Sequence, residues 1–335
     1  MIFRKIEHLL PLAVLLHLSI IPTETKVVTS VEECNEFFLQ QTPPRIPGIL
    51  EGGDILDQNR YRMICQTFND IRTFVTLYDT HNKIPVFSAA KYRGGGSKRP
   101  KTKKITLKNQ AGNDDYKNTQ GFDRGHLFPS SYGSTESEQS STFTLTNIVP
   151  QTDNFNQGSW NKMEICIKCV LNEYCINNNG NIEGFVVIGA KPSSRNILNK
   201  KINIPSVLWS AFCCYSHSKK EWLASAHWGK NTADGHKYLQ TQNLKALQRT
   251  LGVEHHSFQN WHYFRGYQHH ALHHLWPCYH YQLYHWNHLR PPKHHACHQF
   301  WCSQHYSLYH WHQHWPYQHQ VLQPLWPSQH YSPYH

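Results

Sequence analysis

Asp123, Arg124, Gly125 and His126 stand together, and some thirty residues later come Asn156 and Glu164, eight residues apart. An imidazole with an ordinary pKa of about 6.5 can take a proton from water at neutral pH. A carboxamide oxygen and a carboxylate suit a hard divalent cation, which prefers oxygen ligands and keeps several waters. A guanidinium suits phosphate oxygens. Hydrolysing a phosphodiester needs these three things: water must lose a proton, charge on the phosphate must be neutralised, and the departing 3′-oxygen must be stabilised. Each residue also has a plainer use. His126 could be a buried structural histidine, Asn156 a helix N-cap, and Glu164 a solvated helix acid.

Such a site needs elements to hold it. Residues 155–175 predict a helix: Trp160, Met163, Ile167, Val170 and Leu171 recur every three or four positions, giving one apolar stripe. Asn156 would open that helix, with Glu164 about two turns deeper on roughly the same side. Residues 72–93 predict two strands around a turn at Asp79–Lys83. "GGGSKRPKTKK" (94–104) reads as a basic loop. "TFTLTNIVPQ" (142–151) is strand-like and should stop at Pro150. Residues 183–192 and 207–216 read as strands, and 238–252 as a closing helix with Gly252 past its end. Strands and helices mix without βαβ alternation, so the expected class is α+β.

"DRGH", "TNIVPQ" and "NFNQGSWNKME", in this order and spacing, resemble the DNA/RNA non-specific endonuclease family, the ββα-metal or His-Me finger nucleases. The resemblance covers about residues 30–250. It implies an antiparallel sheet core flanked by helices with a ββα-metal site. It assigns His126 as the general base and Asn156 as the direct protein ligand of Mg²⁺, or of another divalent cation such as Mn²⁺. Glu164 would hold a water of the hydrated ion, Arg124 would lie near the scissile phosphate, and Asp123 would tie down the motif loop. Arg99, in the basic loop, is the nearest match to an upstream arginine, though the glycine run disturbs the alignment. Asn147 and Gln151 would support the site. The implied partners are DNA and RNA without sequence preference, and the implied products carry 5′-phosphate ends. Cys34–Cys65 is the first disulfide to expect, and Cys175 with Cys213 or Cys214 the second.

Charge fits polyanionic partners. The 335 residues carry a formal net charge of +11, and residues 26–253 alone hold 28 Lys+Arg against 19 Asp+Glu. Residues 1–25 read as a secretory signal peptide: Arg4 and Lys5, an apolar run from Leu9 to Ile21, then a polar exit. A secreted chain with ten cysteines is expected to form disulfides. Cys166 and Cys169 form CxxC, but inside an apolar-periodic helix, which argues against zinc. The expected organisation is a leader (1–25), a nuclease domain (26–253) and a low-complexity tail (254–335). The tail holds 20 of the 27 histidines, and its composition predicts disorder. No second apolar run is long enough for a stable membrane span. Two other readings stay open: a catalytically inactive nucleic-acid binder on the same scaffold, and a metal-binding protein acting through the His-rich tail.

Overall fold

Runs such as Ile71–Asp79 and Val207–Ser216 are buried almost without interruption. A strand reads that way when both sheet faces are covered. The computed structural model describes residues 26–252, apart from Asp70, residues 97–110, Asn118, Gln120 and residues 235–238. In chain order the strands are β1 (Lys26–Val28), the short pair β2 (Leu50–Glu51) and β3 (Asp54–Ile55), β4 (Tyr61–Phe68), β5 (Ile71–Asp79), β6 (Ile84–Tyr92) and β7 (Phe122–His126). Then come β8 (Ile148–Thr152), β9 (Gly184–Lys191), the short pair β10 (Ile197–Leu198) and β11 (Ile202–Asn203), β12 (Val207–Ser216) and β13 (Glu221–Lys230). Three helices matter here: α1 (Glu136–Ser141), α2 (Asn161–Tyr174) and α3 (Leu244–Leu251).

One seven-stranded sheet, in the order β1-β4-β5-β6-β9-β12-β13, is antiparallel at every pairing. With its helices this gives the expected α+β class. The hairpin β7–β8 stands apart from that sheet, pairing Asp123 with Gln151 and His126 with Ile148.

The two sheet faces bury different material. One packs Phe74, Tyr92 and Phe212 against the hairpin layer and α2, through Val149, Trp160, Ile167 and Leu171. The stripe of α2 is Met163, Cys166, Ile167, Val170, Leu171 and Tyr174. Burying each large apolar side chain stabilises by about 1.5–3 kcal/mol, which holds the helix in place. The other face packs Met63, Leu77 and Trp209 against the N-terminal segment and α3.

Disulfides tie these layers. Cys34–Cys65 joins the N-terminal 3₁₀ segment Val31–Phe37 to β4. Cys175–Cys214 joins the end of α2 to β12, which resolves the second pairing in favour of Cys214. Cys166 is a buried thiol on the core stripe, pushed up to about 11 by burial.

Several sequence-based boundaries shift. The 142–151 strand begins only at Ile148, after a 3₁₀ turn at Leu145–Asn147, and it runs through Pro150 to Thr152. A two-stranded ladder has two edges, so a proline facing outward costs no bond. The 155–175 helix is not one regular rod. A helical turn at Asp153–Phe155 leads into a π-type turn at Asn156–Trp160, broken at Gly158 (φ −99°, ψ −106°), before α2 begins. The closing helix is shorter than 238–252, with Asn243 as its N-cap and Gly252 past its end at φ 76°. The DRGH motif is a strand rather than a loop. Arg99 and the tail expected to be disordered lie outside the described residues.

A buried polar chain links the sheet to the segment before β8. Gln66 Nε2 donates to Thr146 Oγ1 (2.7 Å) and lies 3.4 Å from Thr76 Oγ1; the Thr76 and Ser88 hydroxyls are 3.1 Å apart. Ser88 Oγ then donates to Asn147 Oδ1 (2.9 Å). Asn147 Oδ1 also accepts from the Phe128 N–H, while Nδ2 donates to the carbonyls of Phe128 and Thr142. With every group of this carboxamide satisfied, the chain on either side of the hairpin is fixed to the sheet.

Candidate functional site

Gly125 explains how β7 and β8 approach so closely. A Cβ there would overlap the side chain of Gln151, which pairs with Asp123 two residues back along β7 and leans over Gly125. Gln151 uses that space to donate Nε2 to the His126 carbonyl (3.1 Å). His126, the last residue of β7, is half-buried, and its ring stacks edge-on against Phe143 with centroids 4.6 Å apart. The far end of β8 is clamped by Asn231. Its Oδ1 accepts from the Thr152 N–H (2.9 Å), and its Nδ2 donates to the carbonyls of Pro150 and Pro205 (2.9 and 3.0 Å).

The strand and the helix meet at one carboxylate. Asp123 Oδ2 accepts from Asn156 Nδ2 (2.9 Å) and from Gln157 Nε2 (2.8 Å). Asp123 therefore ties the DRGH strand to the π-type turn. Asn156 is not an N-cap: Thr152 holds that place for the preceding helical turn, and the Asn156 side chain reaches across to β7. Because its N–H₂ is spent on Asp123, its Oδ1 is the acceptor left to face elsewhere.

Glu164 lies in the first turn of α2, half-buried. Burial pushes its carboxyl up to about 8, with the adjacent Trp160 side chain acting in the opposite sense. Among the described residues no lysine or arginine contributes to that balance. The backbone carbonyl of Glu164 accepts from the Tyr132 hydroxyl (3.0 Å). Arg124 is exposed and donates Nη1 to Asn113 Oδ1 (3.2 Å). One turn beyond Glu164, Lys168 donates Nζ to the Gly96 carbonyl (2.8 Å). Gly96, the last described residue before 97–110, therefore lies beside α2.

These donors fit a lightly held cation. No cluster of three or more His, Cys, Asp or Glu able to cage a metal exists among the described residues. A carboxamide oxygen and one carboxyl without a cationic partner match an ion that keeps most of its own waters. Gln151 Oε1 is buried without a hydrogen-bond partner among the described residues, so the hairpin also keeps an unused acceptor.

The structure thus joins Asp123 to Asn156 directly, sets His126 on the same strand as Asp123, and seats Glu164 in the helix after the π-type turn. Gln157, Tyr132 and Asn231 were not singled out by sequence. Gln157 adjoins Asn156 within the same motif; Asn231 lies 79 residues from its partner Thr152 and has no local signal.

An antiparallel hairpin running into a helix, with histidine on its first strand and asparagine where the helix opens, is the ββα arrangement. The chain belongs to the DNA/RNA non-specific endonuclease family, whose model matches residues 63–268. It is similar to the endonuclease domain-containing 1 protein of Homo sapiens, with 27% identity over 259 residues, covering 68% of this chain and 47% of that protein. The chain thus spans about half the length of that relative. It is also similar to mitochondrial endonuclease G of Homo sapiens, 28% identical over 102 residues, covering 28% of this chain and 34% of that protein. A chain of the solved EndoG/EndoGI complex aligns with a TM-score of 0.46 and 16% identity, covering 54% of this chain and 82% of that one.

Proposed function

We propose that the protein is a secreted, divalent-metal-dependent endonuclease that hydrolyses the phosphodiester bonds of DNA and RNA and leaves 5′-phosphate ends. The observation that carries this reading is the Asp123 bridge, which holds the DRGH strand and Asn156 as one unit. Membership of the family supports the activity, and the leader-like residues 1–25 support secretion.

In this reading His126 accepts the proton of the attacking water. The Gln151 bond to its carbonyl and the Phe143 ring fix the imidazole's place. Asn156 Oδ1 would hold the cation directly, and the Glu164 carboxyl would hold one of its waters. When bound, Mg²⁺ or Mn²⁺ supplies neutralisation of the phosphate and of the departing oxygen. Its positive charge would also return Glu164 to the charged form. Arg124, exposed at the strand, contacts a phosphate oxygen. Arg99 is assigned a second phosphate contact from the basic sequence 94–104. Asp123 is a positioning residue acting through Asn156. Low sequence preference follows because contacts to phosphate carry no base information.

The test is nicking of supercoiled plasmid and cutting of RNA by the full chain with Mg²⁺, with Mn²⁺ and with chelator. His126→Ala should lose on the order of 10²–10⁴ in turnover while binding stays nearly intact. Equal loss of binding and rate would make the histidine structural. Binding without cleavage by the unaltered protein would establish the inactive binder instead.

A further inference from the structure

The second face of the main sheet is unevenly covered. Between residues 44–49 and the two-turn helix α3 lies an apolar groove of about 270 Å³. Its floor is Val86, Ala190 and Trp209, and its helical wall is Leu244, Leu247 and Leu251. The described chain ends at this rim, since Gly252 itself lines the groove.

Gly252 caps the end of α3. It is left-handed (φ 76°), and its N–H bonds the carbonyls of Arg249 and Gln248. Such a helix ending reverses the chain and commonly brings an apolar residue just past the helix onto the last apolar turn, and valine holds that position in the sequence. The sequence continues "VEHHSFQNWHYFRGYQ", with Phe258, Trp261 and Phe264 at intervals of three. The family match also runs past Gly252 to residue 268. Charge agrees. Lys191 Nζ sits at the end of α3, 3.5 Å from the carbonyls of Thr250 and Leu251. Glu254, two residues beyond Gly252, is the sole acidic residue of 254–335.

We infer that residues 253–268 of this same chain occupy the groove, with Phe258, Trp261 and Phe264 supplying its apolar filling and Glu254 meeting Lys191. The domain then closes on a segment that its composition would assign to the tail. Burying aromatic side chains over Trp209 and the α3 leucines gives the segment its hold.

The full chain, with a photo-crosslinking side chain at Gln248 on the groove wall, tests this. Irradiation of a mixture of isotopically light and heavy protein, with peptide mapping of the products, should give links within one molecule to residues 253–268. Links between light and heavy copies, links only to residues beyond 268, or no link would each overturn the inference. Hydrogen exchange provides a second measurement. Replacing Phe258, Trp261 and Phe264 together by Ser should speed exchange at the Leu247 and Leu251 amides by about 10-fold or more, with β5 and β6 unchanged. Unchanged exchange in α3 would also refute the docking.

Discussion

Gly125→Ala tests whether the hairpin is held as closely as the site requires. The new methyl would occupy the space of the Gln151 side chain, which packs against the Gly125 backbone. Gln151 is fully buried and cannot simply swing into solvent. It would lose its bond to the His126 carbonyl, a loss of about 1 kcal/mol, and leave buried polar groups unsatisfied, a further cost of about 1–3 kcal/mol. The expected destabilisation is therefore about 2–4 kcal/mol. For a domain of this size each kcal/mol lowers Tm by about 2–4 °C, so a fall of roughly 4–16 °C should appear in a thermal melt. Gln151→Ala alone should cost about 1–3 kcal/mol for its own lost bond and cavity. With the side chain removed, the methyl has room. The double variant should then be nearly as stable as Gln151→Ala. A coupling of about 2–4 kcal/mol in the double-mutant cycle, the full cost of Gly125→Ala, is the signature of the contact. Additivity within about 0.5 kcal/mol would show that Gly125 and Gln151 do not compete for one space.

Asp123→Ala should lower cleavage by about 10–100-fold at saturating metal, because it releases both Asn156 and Gln157; unchanged activity in the nicking assay would deny Asp123 its positioning role. His227 is fully buried, with Nε2 3.0 Å from the Thr241 hydroxyl, and burial pushes its pKa down to about 3. Its folded value lies below the unfolded value of about 6.5, so the unfolded chain binds the extra proton. Stability from this group is complete above about pH 6.5 and falls as pH drops toward 3. Between pH 6.5 and 4.5 the loss should be about 2–3 kcal/mol in urea unfolding. His227→Gln should remove that part of the slope, and an unaltered slope would mean another group causes it. Replacing Cys175 and Cys214 by Ser, which opens a link of sequence separation 39, should cost roughly 2–4 kcal/mol in chemical denaturation. A smaller change would mean the α2–β12 packing holds without the bond.

The α2 stripe was legible because its side chains face one core, so their spacing repeats in the sequence. The strands at 71–79 and 84–92 and the turn between them were legible for a related reason: apolar β-formers flank a polar tip. Strand β13 was not assigned from sequence, although Leu223, Ala224 and Ala226 are buried. Its small residues carry little β signal, and its place is set by ten paired positions along β12. At the candidate site the residue types could be read but the joins could not. Nothing local shows that Asp123 receives two amides from residues more than thirty positions away. The same applies to Asn231, which fixes β8 from beyond β13. Pro150 misled because proline is a breaker in a central strand, and only the isolation of the β7–β8 pair makes it harmless.

The widened turn at 156–160 has a consequence for chain length. Neighbouring side chains on a regular α-helix point about 100° apart, yet Asn156 and Gln157 both reach the same oxygen of Asp123. That convergence depends on the turn holding its five residues with a break at Gly158. Adding or deleting one residue there would rotate one amide away while leaving the α2 stripe in phase with its core. A single-residue length change between Phe155 and Asn161 should therefore uncouple the helix from the hairpin without unfolding either.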